Sequence, residues 1–455
     1  MEINDIKKLI APSEMMTEDG KNELYLYSFK KMADRNAEVS RYSLTGLYGS
    51  VAFFYKANEC LHSHLNDQYA LIRMDIYRFK TINEFCGRAN GDKLLVHISD
   101  CFKKYESKDS VVGHLRADIF TLCTPYKTDQ DLINIVNDIA KQIEVYPLPC
   151  KILPAFGICK SEFGMDISLL IDYANLALQT VKGRVFSCYA FYNETLRQQL
   201  LYEKKIENEI IPALNNHELE VYIQPKVNMR NEEIIGGEAL LRWNHPLDGF
   251  LLPDQFIPIL EKSGYIVDVD KYVWEEVFRS LRQWIDNGYK VVPISLNVSR
   301  LHSYQTDFEQ VLYGLAKKYN ISHNLIQLEL TESALTEHTD LVFKTLNNLQ
   351  NNGFYISMDD FGSGYSSMNM LKDEPIDEIK IDRVFLTDIS TQKSRIIIKH
   401  MISMMTELNI NIIAEGIETP EQANFMLECG CYNAQGFLYH RPMPMTQFKK
   451  LLPRF

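Results

Sequence analysis

Two adjacent aspartates, Asp359 and Asp360, follow an apolar run and precede a glycine- and serine-rich stretch in the segment MDDFGSGYSS, residues 358–367. Like charges so close together raise each other's pKa unless a positive group lies near them. The pair therefore lies either on a solvated turn, where it costs little, or beside a cation. The elements that surround the pair in the sequence decide between these alternatives.

The second half of the chain alternates strand-like and helix-like patterns. Helical periodicity separates most of the strand-like runs, as in residues 271–288. Eight strands with intervening helices over about 250 residues match the length of a (β/α)₈ TIM-like barrel. A doubly wound open sheet is the alternative. The predicted strands are residues 221–227, 234–243, 292–299, 326–332, 354–360, 378–383, 411–416 and 434–439.

Polar residues lie towards the carboxyl ends of most of these runs, which is where catalytic groups of such barrels gather. Any one of them alone is more often a surface or capping group. In a closed barrel, however, the whole set would face one mouth, so the pattern predicts a functional site. The residues are Glu238, Asn297, Glu329, Asp359 with Asp360, Lys380 and Glu415, whereas Gln435 lies near the start of the eighth run.

Carboxylate and amide oxygens are hard ligands, which suit Mg²⁺ or Mn²⁺ better than Zn²⁺. Two such ions about 3.5–4 Å apart form a site for phosphoester hydrolysis. Asp359 could then bridge both ions, while Asp360 reaches one of them. Strand alternation places Lys380 on the same face as Asp382, and Arg242 on the same face as Glu238. Arg242 could clamp a phosphate.

Seven motifs make this half similar to EAL domains, from about residue 205 to the end: GEALLRW, LNVS, LELTES, MDDFGSGYSS, EIKID, AEGIET and AQGFL. EAL domains are phosphodiesterases that open cyclic di-GMP to linear pGpG. The segment MDDFGSGYSS resembles the family's active-site loop, which lies against a dimer interface. The resemblance therefore implies a homodimer through the EAL half, which light scattering can test.

The resemblance also implies a role for each matching residue. The first metal ion would be held by Glu238, Asn297, Glu329 and Asp359, and the second by Asp359, Asp360 and Glu415. Lys380 and Glu415 would orient or deprotonate the attacking water, and Glu332 would anchor the active-site loop. Substrate or water would be held by Gln224, Arg242, Asp382 and Gln435. Lys226 stands where the family usually has an apolar residue, and we expect it to contact no metal ligand.

Residues 44–192 resemble a GGDEF domain, the α/β fold of diguanylate cyclases, through LTGLYG and MDIYRFKTINEFCGRANGDKLL. Its signature loop is changed to RADIF, residues 116–120. Arg116 and Ala117 replace glycines that let the backbone approach a triphosphate, and Ile119 replaces an acidic metal ligand that would act with Asp75. The sequence therefore predicts a degenerate domain without cyclase activity, a regulator or a scaffold. Two residues that match guanine-contacting positions survive and suggest GTP binding: Asn83 and Asp92.

Composition adds limits to these predictions. A formal charge of −12 argues against a nucleic-acid polymer as partner, because such a partner needs a basic face. No run has the apolar length of a membrane span, and the nine scattered cysteines are typical of free thiols in the cytoplasm. The predicted organisation is a helical leader (1–40), a degenerate GGDEF domain (41–193), a connecting helix (194–214) and an EAL domain (205–455).

Three other functions remain open from sequence. An EAL fold that binds cyclic di-GMP without cleaving it would act as a receptor, although such proteins typically lose metal ligands that this chain keeps. A bifunctional enzyme is disfavoured by RADIF. A serine hydrolase centred on Ser363 lacks a histidine arranged to support it.

Overall fold

The computed structural model describes residues 41–63, 68–162, 165–184, 187–304, 307–332, 340–362, 371, 375–387, 389 and 391–455. The predicted leader, residues 1–40, lies outside this part of the chain. The chain divides into two compact units between Leu201 and Tyr202. Within the described residues, no helix has the length and apolar character needed to cross a bilayer.

The first unit contains a five-stranded sheet in the order β2-β3-β1-β4-β5, in which β1 runs antiparallel to both neighbours. Side chains of β1 alternate between two apolar layers, as the period of two in a strand requires. Ile72 packs in the layer that contains Phe102, and Leu71 in the layer that contains Phe53. The elements are α1 Ser50–Ser63, β1 Tyr69–Ile76, α2 Phe79–Cys86, α3 Arg88–Lys103, β2 Val111–Arg116, β3 Ile119–Pro125, α4 Asp129–Glu144, β4 Pro154–Lys160, α5 Ile167–Val181 and β5 Tyr189–Phe191.

A helix of 22 residues, α6 Glu194–Asn215, follows the first sheet. Its buried residues Ile206, Ile210 and Ala213 recur at the spacing of one helical face. This part of the helix packs in the core of the second unit.

The second unit is a closed barrel of eight strands, so the barrel prediction is confirmed over the open sheet. Strands β6, β14, β13, β12, β11, β10, β9 and β7 pair in this order, and β7 pairs back to β6. The strands are β6 Leu219–Asn228, β7 Ile234–His245, β9 Ile294–Asn297, β10 Ile326–Thr331, β11 Tyr355–Phe361, β12 Glu378–Ile381, β13 Asn411–Glu415 and β14 Asn433–Gln435, with short β8 Gly249–Leu251 and β15 Met443–Pro444 at the edges.

Helices cover the outside of the barrel, with the core between them and the strands. They are α7 Pro253–Ser263, α8 Ile266–Asp286, α9 Phe308–Tyr319, α10 Asp340–Asn351, α11 Val384–Thr387, α12 Gln392–Glu407, α13 Pro420–Cys429 and α14 Met445–Phe448. Trp243 on β7 and Trp274 on α8 are among its fully buried side chains.

Two details depart from a regular (β/α)₈ pattern. Strand β6 runs antiparallel to both β7 and β14, and residues 229–233 link β6 to β7 without a helix. A short turn can join only antiparallel strands, because parallel strands need a longer crossover. Gln435 ends the short strand β14 instead of starting the eighth run, because the chain turns at Gly436, where an added Cβ would lie 2.1 Å from the Ile417 oxygen.

Candidate metal and substrate site

The barrel brings the predicted site residues to one mouth. Neighbouring strands pair Asn297 with Glu329, and Glu415 with Gln435. Because β6 is antiparallel, Gln224 also lies directly opposite Glu238. The carboxyl ends of separate strands thus converge although their residues are far apart in sequence.

The buried ammonium group of Lys380 lies among four carboxyl groups. Lys380 is 1% exposed. Its Nζ lies 2.7 Å from Glu415 Oε1, 2.8 Å from Glu329 Oε2, 3.1 Å from Asp359 Oδ1 and 3.3 Å from Glu238 Oε2. Four carboxyl groups therefore share the Lys380 ammonium group, so they cannot all be ionised there without mutual repulsion.

The carboxylates form two clusters that share Asp359. In each cluster, one oxygen of every member lies within 4.8 Å of those of the others, and the clusters are Glu238 with Glu329 and Asp359, and Asp359 with Asp360 and Glu415. The Asn297 amide is also at the first cluster, where its Nδ2 donates to Glu238 Oε1 over 3.2 Å. This all-oxygen donor set fits hard divalent cations such as Mg²⁺ or Mn²⁺.

Burial and mutual repulsion disfavour the charged forms of several of these groups. Burial, with a smaller effect of nearby Asp359 and Glu238, raises the pKa of Glu415 to about 8 against the opposing effect of Lys380. Burial, Asp359 and a hydrogen bond with Asp382 raise the pKa of Asp360 to about 6. The pKa of Glu238 is also raised, chiefly by burial. Bound divalent cations would relieve this repulsion.

Glu329 behaves differently from the other carboxylates. Its burial alone would raise its pKa, but Lys226 and Lys380 outweigh that effect and lower the pKa to about 2. Glu329 therefore stays ionised without a metal ion.

The backbone turns sharply at the paired aspartates. The pairing of β11 with β12 changes register between Met358 and Phe361. Asp360 adopts a φ of +55°, a left-handed conformation that aspartate tolerates better than most residues. Gly362 follows with a φ of +90°, and an added Cβ there would lie 2.4 Å from the Phe385 ring. The Gly362 N–H donates to Glu332 Oε2 over 3.2 Å, so Glu332 contacts the start of the predicted loop. Ser363 and the rest of that loop to residue 370 lie outside the described residues.

The predicted substrate residues divide into two groups. Gln435 Nε2 donates to Glu238 Oε2 over 2.6 Å and to Gln224 Oε1 over 3.0 Å, so both glutamines join the cluster. Asp382 contacts the second cluster through a side-chain hydrogen bond with Asp360. The half-buried Arg242 instead donates to the Leu241 oxygen, and it makes no bond to the clusters within the described residues.

The expectation that Lys226 contacts none of the predicted metal ligands is wrong. Its Nζ lies 2.8 Å from Glu329 Oε1, inside the barrel. The missed signal is the strand period of two, which places Lys226 on the same face as Gln224.

The altered loop of the first unit forms the turn between β2 and β3. Ala117 takes a φ of +47°, and Asp118 Oδ2 accepts a hydrogen bond from the Ile76 N–H. Asp75 pairs with Lys182. The side-chain oxygen of Asn83 is buried without a hydrogen-bond partner among the described residues, and it lies against Gly91, next to the exposed Asp92.

Comparison with known proteins agrees with this architecture. The family model "EAL domain" matches residues 207–442, and "Diguanylate cyclase, GGDEF domain" matches residues 41–187. The bifunctional diguanylate cyclase/cyclic di-GMP phosphodiesterase MucR of Pseudomonas aeruginosa is 30% identical over 386 residues, which cover 84% of this chain and 56% of MucR. The cyclic di-GMP phosphodiesterase PdeR of Escherichia coli is 27% identical over 451 residues, which cover 96% of this chain and 68% of PdeR.

Among solved structures, the PaMucR phosphodiesterase in complex with c-di-GMP is 36% identical with a TM-score of 0.52, and the match covers 54% of this chain and 99% of that chain. The chain spans only about half to two-thirds of the length of its curated relatives. The EAL match covers more than half of this chain. The chain therefore belongs to the EAL-domain family and carries a GGDEF domain in tandem before its EAL domain.

Proposed function

We propose that the EAL domain hydrolyses cyclic di-GMP to linear pGpG with two divalent ions, Mg²⁺ or Mn²⁺. The observation that carries this proposal is the pair of carboxylate clusters that share Asp359 beside Lys380. The names of MucR and PdeR as cyclic di-GMP phosphodiesterases support the choice of substrate.

Each residue of the mouth has a role in this proposal. Glu238, Asn297, Glu329 and Asp359 would hold one ion, and Asp359, Asp360 and Glu415 the other. When bound, such ions polarise a phosphate oxygen and lower the pKa of the attacking water. Lys380 can only donate hydrogen bonds, so it would orient that water and stabilise negative charge on the phosphate. Glu415 would accept the proton of the water.

The remaining residues would position the substrate and the loop. Gln224 and Gln435 present amide groups at the first cluster, where they would bind phosphate or water. Arg242 would move from its backbone contact to a phosphate. Glu332 would hold the loop through the Gly362 N–H.

The test is incubation of the purified chain with cyclic di-GMP and Mg²⁺ or Mn²⁺, followed by separation of the nucleotides. We expect pGpG to accumulate, EDTA to stop the reaction and excess metal to restore it. A chain that binds the dinucleotide but forms no pGpG with either metal would instead be a receptor.

For the first domain, we propose GTP binding without cyclase activity. Asn83 offers a buried oxygen that has no partner among the described residues and lies against Gly91, which precedes Asp92 in the sequence, and such an acceptor would suit the N–H groups of a guanine edge. Ile119 supplies no metal ligand, and Asp75 is paired with Lys182. These features support nucleotide binding but not turnover.

We expect calorimetry to detect GTP binding that Asp92→Ala abolishes. Asp100→Ala is the matched control, because Asp100 is an exposed aspartate on the same helix and should leave binding unchanged. A Glu238→Gln background, in which breakdown cannot hide synthesis, should form no cyclic di-GMP from GTP. Cyclic di-GMP in that background would refute the loss of cyclase activity, and equal GTP affinity in both alanine variants would refute the binding site.

A further inference from the structure

A buried polar layer lies inside the barrel next to the carboxylate clusters. Its centre is Lys226 on β6, which is 3% exposed. The Lys226 Nζ lies 2.6 Å from Ser295 Oγ, 2.8 Å from Glu329 Oε1, 3.1 Å from Gln327 Oε1 and 3.4 Å from Glu378 Oε1. Strands β9, β10 and β12 thus each supply a partner to one ammonium group on β6.

This layer contacts the clusters through Glu329. The Glu329 side chain has no exposed surface, and each of its two oxygens meets a different lysine. Oε1 lies 2.8 Å from Lys226 Nζ, whereas Oε2 lies 2.8 Å from Lys380 Nζ. Since Lys380 also contacts Glu238, Asp359 and Glu415, Oε2 is the oxygen on the side of the clusters.

We propose that Lys226 is a positioning residue for the metal site, an inference that rests on the proposed function. By binding Oε1, Lys226 fixes the rotation of the Glu329 carboxylate, so that Oε2 alone is presented to the first metal ion. Ser295, Gln327 and Glu378 hold the ammonium in place. Groups that orient metal ligands in this way typically contribute about 10–100-fold to metal affinity or activity.

If Lys226 only neutralised negative charge, it would not need to contact one particular oxygen of Glu329. Glu378 supplies a negative charge beside Lys226, so these two residues together add no net charge near the clusters. Removing both therefore keeps the net charge of the barrel interior, while it removes the hydrogen bond to Glu329 Oε1 together with the other contacts of Lys226 and Glu378. This pair of residues allows the positioning role to be separated from an electrostatic one.

The experiment measures Mn²⁺ affinity in the absence of nucleotide. The two methods are calorimetry and the electron paramagnetic resonance spectrum of free Mn²⁺. We expect Lys226→Met to weaken Mn²⁺ binding by about 10–100-fold. The double variant Lys226→Met/Glu378→Gln should be weakened to the same degree, and it carries the test if the single variant does not fold. Lys262→Met, which removes a surface lysine that pairs with Glu203 outside the barrel interior, should bind Mn²⁺ like the wild type.

Two results would overturn the proposal: unchanged Mn²⁺ affinity in the folded Lys226 variants, or wild-type affinity restored in the double variant. The first would mean that Lys226 has no role at the metal site, and the second that it only balances charge. A wild-type protein that binds Mn²⁺ but never cleaves cyclic di-GMP would refute the proposed hydrolysis and leave this inference intact. A wild-type protein that binds no Mn²⁺ would refute both.

Discussion

Replacing Glu238 with glutamine should lower the rate of cyclic di-GMP hydrolysis by at least about 10³-fold. A metal ion stabilises a phosphoryl transition state by several kcal/mol, and each 1.36 kcal/mol corresponds to a factor of about ten in rate. Glutamine keeps the size of the side chain and can still accept the hydrogen bond from Gln435. The loss would therefore come from the missing negative charge in the first cluster. The measurement is the initial rate of pGpG formation at saturating Mg²⁺.

Glu218→Gln is the matched control for this prediction. Glu218 accepts a hydrogen bond from Trp243, which lies on the same strand as Glu238, but Glu218 is no member of either cluster. We expect the Glu218→Gln variant to hydrolyse cyclic di-GMP at a rate within about twofold of the wild type, because a substitution away from key contacts has a small effect. If Glu238→Gln kept a tenth of the wild-type rate or more, Glu238 would not be a metal ligand.

The strands that carry the site could be predicted because each contains an apolar run with a polar residue within it or at its carboxyl end. Glu238, Glu329 and Glu415 lie on three of these strands, and barrel closure brings them to one ammonium group. The antiparallel direction of β6 was also accessible in principle, since the link at residues 229–233 is too short for a crossover between parallel strands.

The layer around Lys226 could not be read from the sequence in the same way. A lysine in a strand is usually solvated, and its burial is tolerated only when partners pair with it. Those partners, Ser295, Gln327 and Glu378, lie on three other strands and contact Lys226 only after the barrel closes. For Arg242, the sequence predicted the position on the strand. Its hydrogen bond to the Leu241 backbone oxygen could not be predicted, because that bond depends on local side-chain geometry.

Replacing Lys380 with methionine should have a large effect on both activity and stability. Hydrolysis should fall by about 10²–10³-fold, as when a donor to developing negative charge is removed. The metal-free protein should lose about 3–5 kcal/mol in its free energy of unfolding, because a buried charge pair is broken by removal of one partner. Four carboxylates would then remain close together without the ammonium group between them.

The loss of stability should depend on pH. With Lys380 present, burial already raises the pKa of Glu415 to about 8, compared with about 4.3 in an unfolded chain. Between these values the folded protein holds a proton that the unfolded chain has lost, so the free energy of unfolding falls as the pH rises. Without Lys380 the pKa of Glu415 should rise further, and the loss should be greater at pH 8 than at pH 5.

Urea unfolding in EDTA at both pH values, with and without added Mg²⁺, measures this effect. Lys262→Met is the matched control, because Lys262 pairs with Glu203 at the surface, and such pairs contribute at most about 1 kcal/mol. Mg²⁺ should recover part of the stability lost in Lys380→Met at pH 8, since the cations would take over the neutralisation of the carboxylates. An equal loss at pH 5 and pH 8 would show that Lys380 does not hold these carboxylates in their charged forms.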